Sequence, residues 1–171
     1  MRIFFLMLYC MFSATTVHAA CSSNMPASTP DSQLTDNNDG TVTDTKTGLM
    51  WKQCSEGQTF SIGSCNGSAS TFTWQAALQQ PGTVNDAGGF AGHTDWRLPN
   101  IKELRSIVEE QCSSPAINAT RFPNTPSSYV WSGSPYAGNS VYAWYVSFDY
   151  GYSNYDFRVD NYAVRLVRGG Q

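Results

Sequence analysis

Twelve residues, His93-Thr94-Asp95-Trp96-Arg97-Leu98-Pro99-Asn100-Ile101-Lys102-Glu103-Leu104, compress a strand end, a proline stop and a helix start into one joint. Pro99 drives Leu98 out of helical geometry, so Trp96-Arg97-Leu98 is expected to arrive extended. Asn100 is placed to cap a helix, and Glu103, three residues on, to reach back to the cap amide. Ile101, Leu104 and Ile107 recur at helical spacing and predict one buried stripe. A guanidinium beside a tryptophan and carboxylates commonly locks a turn by stacking and paired hydrogen bonds. Asp95, Trp96, Arg97, Pro99, Asn100 and Glu103 are therefore read as a structural corner, not a reaction centre.

The cysteines restrict the fold next. Met1-Arg2 followed by the apolar run Ile3 to Phe12 and the small residues near Ala19 and Ala20 reads as a secretory signal peptide over residues 1–20. The run is too short to span a bilayer, so no transmembrane segment is expected. His18 stands where a lipobox carries an aliphatic residue, which argues against lipidation of Cys21. The expected location is secreted, periplasmic or cell-surface. Four cysteines then remain, and an even set in an exported chain predicts two disulfides. Cys54 and Cys65 flank a short glycine-bearing loop and are paired. Cys21 and Cys112 are left to tie the N-terminal segment to the end of the second helix.

Along the chain, residues 21–33 are rich in Ser, Thr and Pro and are expected to be irregular, held only by Cys21. Residues 34–171 form one domain. Asn37-Asn38-Asp39-Gly40 predicts a hairpin turn between Leu34–Asp36 and Thr41–Asp44, and Leu49-Met50-Trp51 a short buried strand. The Asp36/Asn38/Asp39/Gly40 cluster is one residue short of a calcium loop, with Thr47 where the bidentate Glu belongs. It is read as a turn, and no metal or other cofactor is expected. Thr73 is expected to cap a helix from Trp74 to about Gln80, stopped by Pro81-Gly82. From Val130 the chain reads as short strands. Trp144, Val146 and Phe148 alternate with Ala143, Tyr145 and Ser147. Phe157–Asp160 and Val164–Val167 show the same two-residue period. Early strands, two helices and a late meander predict an α+β domain.

These residues give the chain a resemblance to a known family. Asp39-Gly40-Thr41-Val42-Thr43-Asp44, Thr47-Gly48-Leu49-Met50-Trp51, Asp95-Trp96-Arg97-Leu98-Pro99-Asn100 with Lys102-Glu103-Leu104, Trp131-Ser132-Gly133-Ser134-Pro135 and Val164-Arg165-Leu166-Val167-Arg168 together resemble the Lcl C-terminal domain family. That family is named after a bacterial collagen-like adhesin. The resemblance implies a C-type-lectin-like fold, distantly similar to formylglycine-generating enzymes, and a surface or periplasmic glycan-binding module. Two features depart from the founding type. No collagen-like repeat precedes the domain. The charge is also wrong for sulfated glycans: ten Lys and Arg against thirteen Asp and Glu give −3. Loss of Arg2 with the leader makes it −4, which suits polyanions, nucleic acid included, poorly.

A catalytic reading finds little to work with. His93 is the single histidine left after leader removal, and a lone histidine beside a glycine loop is read as structural. No Gly-x-Ser-x-Gly elbow, phosphate loop or His-Glu-x-x-His helix occurs. Asp149, Asp156 and Asp160 are the carboxylates a glycan-active enzyme on this fold would need to pair. Trp51, Trp74, Trp131 and Trp144 are read as core. The expectation is a protein without catalytic machinery; an enzyme using Asp pairs and a structural subunit of a surface assembly are the alternatives. The segment from Tyr142 to Tyr162 instead carries the residue types of antibody paratopes: rigid amphipathic tyrosines interleaved with adaptable Ser, Asn and Asp. Tyr142, Tyr145, Asp149, Tyr150, Tyr152, Asn154, Tyr155, Asp156 and Arg158 are the candidate contacts for a surface glycan or protein ligand. Tyr155 and Phe157 are expected to contribute rings to the core as well.

Overall fold

The computed structural model describes residues 19–169. The leader expected over residues 1–20 lies outside the described residues, apart from Ala19 and Ala20. In chain order the first strands are β1 (Ala20–Cys21), β2 (Leu34–Asp36), β3 (Thr41–Asp44), β4 (Leu49–Lys52), β5 (Thr59–Ser61), β6 (Ser64–Asn66) and β7 (Thr71–Phe72). Helices α1 (Trp74–Asp86) and α2 (Ile101–Ser106) follow. The chain then returns to strands with β8 (Cys112–Ser113), β9 (Tyr129–Pro135), β10 (Tyr142–Ser147), β11 (Ser153–Phe157), β12 (Tyr162–Ala163) and β13 (Val167–Arg168). The α+β expectation is met.

Two larger sheets organise most of these elements, beside the two-stranded pairs β1-β8 and β5-β6. One has the order β13-β4-β3-β2, and the other β11-β10-β9-β12-β7. The predicted hairpin joins β2 to β3, its carboxylates occupied by the turn itself. Asp36 accepts the Asn38 amide at 2.8 Å, and Asp39 accepts the Thr41 amide at 3.0 Å. Gly40 closes the turn at φ 88°, where an added Cβ would sit 2.8 Å from the Phe90 ring. The joint adds itself to the first sheet: Arg97 pairs with Val167 through both of its backbone groups, at 2.8 and 3.0 Å. Trp96-Arg97-Leu98 is thus extended, as Pro99 requires.

Two cores lie on opposite faces of the second sheet. Leu104, Ile107, Val130, Val146 and Phe148 belong to the first, together with Leu34, Val42 and Trp51 of the other sheet. Ala77, Trp96, Trp131, Ala143 and Tyr145 belong to the second. The alternation read in β10 therefore sorts its side chains between two buried layers. That explains why the strand shows no polar face.

Both disulfides form as paired, Cys21–Cys112 and Cys54–Cys65. Four expectations need correction. First, α1 does not stop at Pro81 but runs through it to Asp86, because its last turn is held from outside the helix. Val84 packs on the second core, and Asn85 exchanges two hydrogen bonds with the Trp96 backbone at 2.8 and 3.1 Å. Second, α2 ends at Ser106, so Cys112 ties the N-terminal segment to β8 and not to a helix end. Third, the irregular N-terminal segment is held by more than Cys21. The buried Glu109 carboxylate accepts the Ser28 and Thr29 amides, both at 2.8 Å. Fourth, Arg158 to Asp160 turn after β11 instead of extending it, and Val164 to Leu166 bridge β12 and β13 outside any strand.

Arg165, which an alternating strand would have sent to solvent, is fully buried in that bridge. It donates to the Lys52 and Gln53 carbonyls and to the Thr125 hydroxyl, and lies over the Phe122 ring. Burial pushes its guanidinium down to about 9, with the charge of Glu56 opposing, so it stays charged at neutral pH. On α1, Ala77 is buried whereas Leu78 is exposed.

Candidate functional site

The tyrosine-rich segment is one antiparallel hairpin, β10 paired with β11. Tyr142 faces Phe157 and Trp144 faces Tyr155 on one side, while Ala143 faces Asp156 and Tyr145 faces Asn154 on the other. Gly151 makes the connecting turn at φ 75°; a Cβ there would meet Val108 at 3.0 Å, and its carbonyl accepts Arg105 at 2.8 Å. Successive strand side chains point to opposite faces, so a single tyrosine-rich stretch has two fates.

On the first face the rings stay at the surface. Tyr136, just beyond β9, stacks on Tyr155 with centroids 3.9 Å apart and planes 17° from parallel. Trp144 meets Tyr155 edge-on at 5.7 Å, and Tyr142 lies 4.7 Å from Phe157. The five rings form a continuous platform, on which Tyr155 and Phe157 are 38% and 48% exposed. The adjacent Tyr155 phenol pushes that of Tyr136 above its ordinary range. Beside the platform opens a cleft of about 400 Å3 lined by Ile101, Lys102, Arg105, Trp144 and Ser153. Lys102 has no ion-pair partner among the described residues, so one edge of this aromatic floor carries an available cation.

On the second face Tyr145 is interior, with half-buried Tyr129 and Tyr162 around it and Tyr152 exposed at the rim. Tyr145 is 4% exposed and packs against Tyr129, Tyr162 and Trp131. Asp156 accepts the Tyr162 hydroxyl at 2.6 Å. Burial, then the Tyr152 phenol, raises the Tyr145 phenol; burial, then the Asp156 hydrogen bond, raises that of Tyr162. Both stay neutral donors.

The candidate contacts are accordingly divided. Tyr142 and Tyr155 lie on the platform. Tyr145 does not reach solvent and is removed from the contact set, since it fills the second core. Tyr152 borders Tyr145 on the interior-side face, at 6.4 Å, and Tyr150 stands 71% exposed at the turn. Asp149 accepts the Ser114 hydroxyl at 2.8 Å and fixes the turn. Asn154 and Asp156 each accept a backbone amide of the next residue, at 2.9 and 2.8 Å, and so cap their own edge strand. Arg158 leaves the hairpin toward α1, where its guanidinium lies 4.2 Å over the Trp74 ring. Tyr155 and Phe157 belong to the platform and not to the core. Of the four tryptophans read as core, Trp51 and Trp131 are buried, whereas Trp74 and Trp144 are half-buried walls of clefts. Tyr136, Lys102 and Arg105 were not singled out from sequence. Tyr136 follows Pro135 outside the tyrosine run, and the two cations reach the cleft through the packing of α2.

At the joint Arg97, Glu103 and Asp95 each find a charged partner within the fold. Arg97 meets Glu103 through two bonds of 2.8 and 2.7 Å and donates to the Gly169 carbonyl. Glu103 and Asn100 complete the capping box at 2.8 and 2.9 Å. Asp95 pairs with Arg168 at 2.7 Å, and that hydrogen bond holds its carboxyl below the usual range. Burial raises the Glu103 carboxyl, but the Arg97 and Asn100 hydrogen bonds and the Arg97 charge outweigh it and leave it lowered. Pro99 is buried, and its carbonyl accepts Gly133 at 2.8 Å. The joint is a lock between α2, β9 and the end of the chain.

These features define a class: a disulfide-stapled α+β domain of two larger sheets and two short strand pairs, with a locked central joint and an aromatic surface on its C-terminal hairpin. The chain belongs to the Lcl C-terminal domain family, whose pattern matches residues 40–168. The match runs from the glycine of the first hairpin to the arginine that pairs with Asp95, and so includes the second sheet, all of the first sheet but its edge strand β2, the joint and the platform. No curated protein matches the chain.

Proposed function

We propose that this protein is an exported, non-catalytic, adhesin-like binding module on a C-type-lectin-like scaffold, and that it recognises a surface glycan through the Tyr136/Tyr142/Trp144/Tyr155/Phe157 platform. The observation carrying this reading is the exposed five-ring platform beside a cleft with available Lys102. Sugar rings present C–H faces that stack on aromatic surfaces, and their hydroxyls take polar partners at the edge. Contiguous exposed apolar surface on a folded domain marks an interaction site. The absence of catalysis is supported by the use of Asp149 and Asp156 to tie down the turn and strand. Two disulfides suit an oxidising compartment, and among the described residues no helix is long and apolar enough to cross a membrane. The Cys21 sulfur is bonded to Cys112, leaving no thiol for a lipid thioether.

A glycan array probed with the disulfide-bonded protein and with a Tyr155→Ala/Phe157→Ala double variant tests the assignment. The wild type is expected to retain a defined subset of glycans. The variant is expected to bind them at least about tenfold more weakly, as losing two stacked rings implies, while still melting cooperatively above the assay temperature. Equal retention by both proteins removes the platform from the site. Turnover of a retained glycan would replace a binding module by an enzyme.

A further inference from the structure

The second cleft lies on the α1 side of the hairpin, opposite the platform, and its central group is Arg158. It measures about 370 Å3 and is lined by Thr73, Trp74, Gln75, Leu78, Arg158 and Val159. The Arg158 guanidinium is fixed from two directions. Its Nε donates to the Tyr142 carbonyl at 3.0 Å, and its Cζ lies over the Trp74 ring, 4.2 Å from the centroid. That ring is itself pinned, its indole N–H donating to the Ser132 carbonyl at 2.8 Å. The remaining guanidinium nitrogens have no hydrogen-bond or carboxylate partner among the described residues. An arginine held this way has already lost its rotamer freedom and presents a fork that matches a planar oxyanion. The walls on either side are apolar, with Leu78 43% and Val159 74% exposed.

The geometry points to a binding site for a carboxylate carried on an apolar body, the C-terminal residue of a peptide or protein partner with an aliphatic last side chain. The fork takes the carboxylate, and Leu78 and Val159 take the side chain. A sugar acid offers the same carboxylate but surrounds it with hydroxyls, which the exposed Leu78 and Val159 walls cannot meet and only Thr73 and Gln75 at the α1 end could. Since this cleft and the platform occupy opposite faces, the site stands or falls independently of glycan recognition.

Titration of N-acetyl-Gly-Leu into the 15N-labelled, disulfide-bonded protein tests this, read on the Trp74 indole N–H and the Arg158 Nε–H resonances. Saturable shifts are expected for the free acid, with the C-terminal amide binding at least about tenfold more weakly. Arg158→Gln is expected to erase the difference between acid and amide. Val159→Ser, at an exposed position that cannot compromise folding, should weaken N-acetyl-Gly-Leu while leaving N-acetylglycine unchanged. Equal binding of acid and amide, or no saturable shift up to roughly 10 mM, overturns the site. D-glucuronate binding as tightly as the peptide overturns the assignment to a chain terminus.

Discussion

The joint at residues 95–104 and the hairpin at 142–158 are built from the same chemical parts: an indole or phenol ring, an arginine and carboxylates. They use them in opposite ways. In the joint, both terminal nitrogens of Arg97 are taken by Glu103 and the Gly169 carbonyl, and Trp96 is 2% exposed. In the hairpin, Arg158 is oriented by a ring and one carbonyl but has no carboxylate partner, and half of the rings face solvent. Residue type alone does not separate scaffold from binding surface. What separates them is whether the fold itself satisfies each group. A preorganised group left unsatisfied is available to a ligand at little ordering cost.

The largest effect expected from this contrast is on stability. Trp96→Ala empties a site in the second core and removes the indole bond to the Phe90 carbonyl at 3.1 Å. It is expected to cost about 3–5 kcal/mol in urea unfolding. Tyr155→Ala, which removes a ring from the platform, should cost no more than about 1.5 kcal/mol. Similar losses for the two would mean that the platform is core in disguise.

Exchanging the two arginines for an uncharged side chain of similar length sharpens the comparison. Arg97→Met leaves the Glu103 carboxylate, only 15% exposed, with the Asn100 amide but no cation. A loss of about 1–3 kcal/mol is expected. Arg158→Met abandons no carboxylate and should stay within about 1 kcal/mol of wild type. If Arg158 proved the more costly of the two, it would be a structural brace, and the cleft it anchors would lose its rationale.

How much of this contrast the sequence announces depends on its range along the chain. The joint is legible because its determinants are local: Pro99 acts on Leu98, and Asn100 and Glu103 meet across three residues. The β2–β3 turn is legible for the same reason. The end of α1 was not, since Asn85 gains its value from Trp96, eleven residues away in sequence, and that contact overrides the proline. The fate of the tyrosines was also hidden. β10 is buried on both faces over much of its length, so no polar–apolar contrast marks which side opens to solvent. The register shift between Ala143 and Tyr145 against β9, which no composition signals, accompanies the separation of Trp144 and Tyr145 into cleft and core. Tyr136 joins the platform only through tertiary packing.

Acid should find the joint before it finds the hairpin. The Glu103 carboxyl is lowered in the folded protein relative to the ordinary glutamate value near 4.3. A group lowered on folding contributes stability above its unfolded value and loses it as pH falls through the folded one. Urea midpoints measured from pH 7 downward should therefore hold until about pH 4.3 and then decline, with Glu103 contributing to the loss. Glu103→Gln is expected to be less stable at neutral pH and to converge on the wild type at low pH. Arg158→Gln should leave the acid slope as it is. A parallel offset for Glu103→Gln at every pH would show that its contribution is packing and capping, not charge.

The smallest expected effect divides the hairpin itself. Tyr150 is the most exposed tyrosine of the candidate set and sits at the turn, away from the stacked rings of the platform. Tyr150→Ala should shift stability by no more than about 0.5 kcal/mol, as for other surface substitutions, and should leave glycan retention unchanged. Tyr142→Ala removes a ring that contacts both Tyr155 and Phe157, at 5.4 and 4.7 Å, and should lower retention measurably. Loss of binding in the Tyr150 variant with retention in the Tyr142 variant would move the contact surface from the sheet face to the loop tip. The stacked rings would then be a brace for the turn, and exposure, not preorganisation, would be what makes a tyrosine of this chain functional.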